Sequence, residues 1–107
     1  MKLKYKFATQ KVGNGIVAVA IEEDALEYSD ILRMNYSGAY ILEQLQNDIS
    51  YDELIRRMLQ KYDTDKATVQ KILADFLGML SEKELLLDDK GGLIKKDEMR
   101  DILIDKI

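Results

Sequence analysis

The hydrophobic period of the sequence changes partway through residues 23–45, and this change constrains the fold more than any other feature. Up to Met34 the apolar pattern is short and typical of a strand. Beyond that point apolar residues recur at three- and four-residue intervals, the spacing that lines one face of a helix. Asn35 lies at the switch, and an asparagine side chain can cap the first free amides of a helix. We therefore predict a strand that leads directly into a helix.

Three strands are predicted before this switch. Residues 5–12 alternate in character and form the first strand, and residues 16–21 are β-branched and apolar enough for the second. The Gly-Asn-Gly sequence at residues 13–15 favours a tight turn between them, because glycine and asparagine tolerate positive φ. Residues 26–34 supply a third strand, with a kink expected at Ser29. The order predicts an antiparallel meander.

Three helices are predicted after the switch. The first covers residues 36–46, and the second begins at a capping box in which Ser50 and Glu53 satisfy each other's backbone amides. Residues 63–65 end the second helix and cap the third. The apolar stripe of the third helix consists of Val69, Ile72, Leu73, Phe76, Leu77 and Leu80.

The C-terminal part of the chain predicts a small wing and an appendage. Apolar residues 85–87 and 93–94 flank a polar, glycine-containing turn at residues 88–92, as in a short hairpin. Residues 95–107 carry apolar side chains at helical spacing and predict a short docking helix. The expected fold is α+β and winged-helix-like, with a three-stranded antiparallel sheet followed by three helices and a small C-terminal wing and extension. We divide the chain into a domain at residues 1–95 and an extension at residues 96–107.

The composition narrows the function. The chain has 107 residues, no cysteine, no histidine and a formal net charge of −4. These absences remove the usual general base and the usual transition-metal ligands, so we expect no catalysis, no metal and no cofactor. The negative charge argues against nucleic acid as a partner. No apolar run suits a bilayer and no signal peptide is recognisable, so we expect no membrane partner and a cytoplasmic location.

The order of motifs resembles a known family. Residues 25–38, ALEYSDILRMNYSG, are similar to the aromatic-turn-aliphatic segment and Leu-Asn-x-Thr/Ser-Gly motif of the PqqD-like proteins, the RiPP recognition elements. Residues 41–45, ILEQL, are similar to that family's Ile-Trp-Glu-Leu-Leu. The capped second helix and the long third helix complete a resemblance over about residues 5–87. Met34 in place of leucine, Leu42 where an aromatic is common, and the C-terminal extension depart from the family pattern.

The resemblance implies a peptide-recognition module without catalytic activity. Members of the family bind the leader of a ribosomally made precursor peptide and present it to a modifying enzyme, often a radical S-adenosylmethionine protein. The leader adds as a strand to the edge of the third strand and lies against the third helix, and an exposed edge supplies the unpaired backbone groups for such pairing. The peptide-binding residues expected on this basis are Leu26, Glu27, Tyr28, Ile31, Leu32, Arg33, Lys66, Val69, Gln70 and Leu73.

Two other functions stay open at this stage. A winged-helix DNA-binding transcriptional regulator would use the second and third helices as a helix-turn-helix pair. The third helix, however, offers only Lys66 and Lys71 before Asp75, which is a poor charge pattern for phosphate contacts. A small oligomeric scaffold would instead pair its exposed strand edge with a second copy, as a homodimer.

Overall fold

A sheet and a helical layer meet at Asn35, as the change of period predicts. The computed structural model describes residues 1–104, and all statements about the structure concern those residues. In chain order the elements are β1 (Lys2–Leu3), β2 (Phe7–Val12), β3 (Gly15–Ala20), a 3₁₀ helix (Glu22–Leu26), β4 (Leu32–Met34), α1 (Tyr36–Gln44), α2 (Tyr51–Lys61), α3 (Lys66–Glu82), β5 (Leu86–Leu87) and α4 (Lys96–Ile104).

The main sheet is antiparallel with the order β2-β3-β4, so β2 and β4 are its two edges. Gly13 has a φ of 60° in the turn between β2 and β3, a conformation that glycine adopts without steric cost. Thr9, Ala18 and Leu32 lie opposite one another across the three strands and share one face. Ala18 and Leu32 are buried, so this face packs against the helices. The predicted α+β, winged-helix-like fold is confirmed.

The predicted third strand is too long. Of residues 26–34, only Leu32–Met34 form a strand, β4. Leu26 instead ends the 3₁₀ helix and is 90% exposed. The sequence pattern was strand-like, but contacts with other parts of the chain decide the conformation before β4.

Residues 22–28 form a turn that local hydrogen bonds close and that aromatic contacts with the start of the sheet hold in place. The backbone carbonyl of Asp24 accepts hydrogen bonds from the N–H groups of Glu27 and Tyr28, at 3.1 and 3.0 Å. The Tyr28 ring then stacks on Tyr5 at 5.7 Å and meets Phe7 edge-on at 5.8 Å. Aromatic pairs of this geometry stabilise the arrangement beyond the area that they bury. The aromatic residue predicted on a strand therefore anchors a loop against the start of the sheet.

Each of the first three helices begins with a side-chain cap at the predicted residue. The Asn35 side chain accepts from the Gly38 amide at 2.9 Å, and Ser50 Oγ accepts from the Glu53 amide at 3.1 Å. Asp65 caps α3 in the same way. Such caps satisfy amides that have no partner within the helix, so they fix where each helix starts.

The second half of the predicted capping box takes a different form. The carboxylate of Glu53 accepts hydrogen bonds from Arg56 and from Arg57 Nε, the latter at 3.0 Å, on the same helix. These guanidinium groups lower the pKa of Glu53 to about 2. The capping box would place the Glu53 carboxylate at the backbone amide of Ser50. Two arginines one turn away compete with that amide for the carboxylate.

The predicted wing is present and gains a strand that the sequence did not predict. Leu87 bridges Leu93, and the Ile94 amide donates to the Leu86 carbonyl at 3.0 Å, which closes the hairpin. β1 adds to β5 through the pair Leu3 and Leu86. Two-residue strands carry little periodicity, so the pattern gave no signal for β1.

The C-terminal helix packs on α3, which confirms the predicted docking helix. Met99 is buried in the common core, and Ile102 and Leu103 pack against it. Residues 105–107 of the predicted extension lie outside the described residues. None of the helices in residues 1–104 has both the length and the apolar character needed to cross a bilayer.

Leu73 in α3 is fully buried, whereas its neighbour Ile72 is partly exposed, and the pair gives a stability test. We expect Leu73→Ala to lower the free energy of unfolding by about 2–5 kcal/mol, because it leaves a cavity in the core. The matched variant Ile72→Ala should lose only about 1 kcal/mol. Urea unfolding with comparable m-values measures both. Equal losses would contradict this division of α3 into a core face and a border face.

Candidate peptide-binding site

A cleft of about 310 Å³ lies between the end of β4 and α3. Its apolar lining comes from Met34, Ile72, Phe76 and Met79. The α3 residues follow one another at helical spacing along the border of the core face, so they are partly rather than fully buried. Polar and charged groups complete the lining, namely Arg33, Asn35, Ser37 and Asp75.

The floor of the cleft depends on Gly38 in α1, a residue without a Cβ atom. A Cβ atom at Gly38 would lie 2.9 Å from Cε1 of Phe76 and 3.1 Å from Cβ of Met34. The absence of that atom lets the Phe76 ring lie directly against α1. Because the Asn35 cap fixes the first turn of α1, Gly38 is held in register with the ring. Gly38 and the cap that positions it therefore allow the close approach of Phe76 to α1.

The charges at the cleft are exposed. Asp75 Oδ2 lies 3.9 Å from Lys71 Nζ, and both side chains are more than three-quarters exposed, so solvent screens this pair. Arg33 stands on β4 at the other side of the opening. The cleft thus offers an apolar floor with exposed charges at its rim, namely Arg33 on β4 and the ion pair of Asp75 with Lys71 on α3. Groups of this kind set register and encounter rate more than affinity.

β4 provides a free strand edge beside this floor. It pairs with β3 from Leu32 to Met34, and within residues 1–104 the sheet has no further strand on its other side. In an antiparallel ladder, backbone groups point alternately to the two sides, so an edge strand keeps unpaired N–H and C=O groups. An extended chain can therefore hydrogen bond to β4 and place alternate side chains in the cleft.

Comparison with known proteins identifies the family. A family model described as Coenzyme PQQ synthesis protein D (PqqD) matches residues 16–86, which is most of the chain. The chain belongs to the PqqD family. The match runs from β3 to β5 and includes the free edge and every residue that lines the cleft. No curated protein and no solved structure matches the chain significantly.

Membership of the PqqD family assigns the chain a general role. Proteins of this family are non-catalytic accessory proteins that take part in peptide recognition during the biosynthesis of peptide-derived products. They interact with a precursor peptide and a modifying enzyme.

Within residues 1–104, no three carboxylates come together in a way that could hold a metal ion.

The residues predicted around the third strand have different positions in this member of the PqqD family. Arg33 lines the cleft, and Ile31 is 55% exposed just before β4. Leu32 is buried on the helix-facing side of the sheet. Leu26 lies in the 3₁₀ helix, Glu27 follows it, and Tyr28 packs on aromatic neighbours, so these three are not on the strand edge as predicted.

The packing of Tyr28 also affects its hydroxyl group. Desolvation raises its pKa, and the nearby charge of Asp30 acts in the same direction. A tyrosine hydroxyl is protonated at neutral pH in any case, and this shift moves its titration further from that range.

The residues predicted on the third helix lie on a neighbouring face. Val69 and Leu73 are completely buried in the core, so neither can line a groove in this conformation. Gln70 and Lys66 lie on α3 nearer its start than the cleft does. The cleft is formed instead by Ile72, Asp75, Phe76 and Met79. The predicted stripe contained two of these, but the sequence alone could not show which border of the stripe faces β4.

The contact between Gly38 and Phe76 can be tested with a double-mutant cycle. We expect Gly38→Ala to be destabilising by about 1–3 kcal/mol through overpacking, less the roughly 1 kcal/mol that alanine gains in helix propensity. In a Phe76→Leu background, the cost of Gly38→Ala should fall by about 0.5–3 kcal/mol, because Cε1 is gone. Urea unfolding of the four proteins measures the coupling. An identical cost in both backgrounds would show that the ring does not rest on Gly38.

Proposed function

We propose that the chain binds the leader segment of a ribosomally made precursor peptide by strand addition at β4. The single observation that supports this most strongly is the juxtaposition of a free strand edge with an apolar cleft. Backbone pairing alone attracts almost any extended chain, whereas the cleft selects side chains. Together they suit recognition of a peptide with few fixed residues.

The apolar anchors of the leader supply most of the selectivity in this proposal. Met34, Ile72, Phe76 and Met79 give the cleft a flexible, polarisable floor, which suits aliphatic or thioether side chains. Burial of one aliphatic side chain contributes roughly 1.5–3 kcal/mol. Arg33 favours an acidic leader residue next to the anchor, and its effect falls with ionic strength.

The bound leader is then presented to a modifying enzyme, which we propose is a radical S-adenosylmethionine protein. The chain supplies binding and orientation only, and the chemistry belongs to the enzyme. Only the leader pairs with β4, so the remainder of the precursor is free to reach the active site of the enzyme. We place this step in the cytoplasm, where ribosomes release the precursor.

The cleft variant that tests this function is Ile72→Ala, with Leu59→Ala as its matched control. Both residues are partly exposed helical aliphatics, but Leu59 lies on α2 outside the cleft. We expect Ile72→Ala to weaken leader binding by about tenfold, which corresponds to about 1.4 kcal/mol, and Leu59→Ala to leave it unchanged. Calorimetry with the leader encoded beside the gene measures both. Equal affinities for the two folded variants would place the site elsewhere.

Strand addition itself predicts a change in amide hydrogen exchange. With the leader at about ten times its Kd, the exposed amides of Leu32–Met34 should exchange roughly tenfold more slowly, because only the unbound fraction exchanges. Amides of Phe7–Val12 at the other edge should not change. Protection of the β2 edge in place of the β4 edge would reject the proposed pairing.

A further inference from the structure

A second groove lies at the opposite edge of the sheet. It encloses about 540 Å³ between the start of the sheet, α1 and the end of α2. Tyr36, Tyr40 and Tyr62 line it together with Phe7 and Ile16, and we call this surface the tyrosine groove. Tyr36 is 54% exposed, and burial together with Tyr40 raises the pKa of Tyr62. The leader cleft uses none of these residues.

Two lysines hold their charges over the tyrosine rings. Lys61 Nζ lies 4.9 Å from the ring centre of Tyr40, and Lys11 Nζ lies 5.9 Å from that of Tyr36. Among the described residues, no carboxylate comes within 4 Å of either ammonium group, although Glu43 lines the groove. Exposed lysines packed on rings and lacking an acidic partner favour an anionic ligand.

The tyrosine groove also borders a free strand edge. β2 is the outer strand of the sheet, and its residues after Phe7 are exposed. Gln46 Nε2 donates to the Phe7 carbonyl at 3.4 Å, which covers the beginning of that edge. The remainder of β2 can accept an extended chain in the same way as β4.

From these observations we propose that the tyrosine groove and the β2 edge bind an acidic, extended segment of the modifying enzyme. The proposal rests on the proposed function, because it gives the enzyme one edge of the sheet and the leader the other. β3 separates the two edges, so both partners can be bound at once.

The spacing of the two tyrosines beneath the lysines defines the segment further. Lys11 lies over the ring of Tyr36 and Lys61 over the ring of Tyr40, and these two tyrosines are four residues apart on α1, or about 6 Å along the helix. Residues i and i+2 of an extended strand are about 6.8 Å apart and point to the same face. Acidic side chains at alternate positions therefore match the spacing of the two tyrosines that Lys11 and Lys61 overlie, with both carboxylates on the groove side.

A peptide titration tests the chemistry of the groove without the enzyme. The probe is the acetylated and amidated peptide Thr-Glu-Val-Glu-Val-Thr, added to ¹⁵N-labelled protein and followed by NMR. We expect amide shifts along Phe7–Val12 and around Tyr36, and about tenfold weaker binding of the peptide in which lysine replaces both glutamates. Equal binding of the two peptides, or shifts confined to the β4 side, would overturn the proposal.

Two double variants with the same change of net charge separate a specific site from general electrostatics. Lys11→Glu with Lys61→Glu should weaken binding of the acidic probe by about tenfold. Lys83→Glu with Lys90→Glu lies outside the groove and should change it less than about twofold, an effect of long-range charge alone. Equal losses in the two double variants would show that the groove does not recognise the probe.

The same variants identify the occupant. With the enzyme encoded beside the gene, Lys11→Glu/Lys61→Glu should lose about tenfold in affinity, while its affinity for the leader stays that of the wild type. Loss of leader binding with enzyme binding retained would assign the groove to the leader and overturn the proposal. If the wild-type chain binds no leader, the proposed function fails separately, because the probe titration still decides the chemistry of the groove.

Discussion

The contact between Gly38 and Phe76 is the interaction on which the cleft between β4 and α3 depends. Asn35 ends β4 and caps α1, so Gly38 falls one turn into the helix, opposite the ring. The ring could not approach α1 if residue 38 carried a Cβ atom. This approach brings α3 beside the edge of β4 and leaves Met34 at the floor. The edge and the cleft are therefore two consequences of one junction.

This junction also explains how far the sequence predicts the structure. Caps and helix faces are local features, so the starts of α1, α2 and α3 were predicted at the correct residues. The length of β4 was not, because Tyr28 is held by aromatic partners more than twenty positions away in the sequence. For α3, the helical spacing predicted an apolar stripe that includes residues outside the buried core face. Only the position of β4 decides that Ile72 borders the cleft while Leu73 is buried.

In the function proposed above, a small sheet with two free edges in residues 1–104 gives an accessory protein a way to bring two partners together. β4 offers its edge beside an apolar floor, whereas β2 offers its edge beside tyrosines that carry lysine charges. The two edges share the same mode of backbone pairing but differ in side-chain chemistry, which is how similar surfaces discriminate between ligands. The match to the PqqD family covers the β4 side completely and begins at β3, so β2 lies outside it.

Intermolecular NOE spectroscopy with methyl-labelled protein and unlabelled leader tests the central claim most directly. Adjacent strands of a sheet lie about 5 Å apart, which is also the range of an NOE. If the leader adds to β4, its side chains must therefore come within that distance of the methyl groups in the cleft. We expect NOEs from the methyl groups of Met34, Ile72 and Met79 to the leader, and none from Met58, which is buried in the core. A bound leader that shows no NOE to any of the three cleft residues would contradict the account.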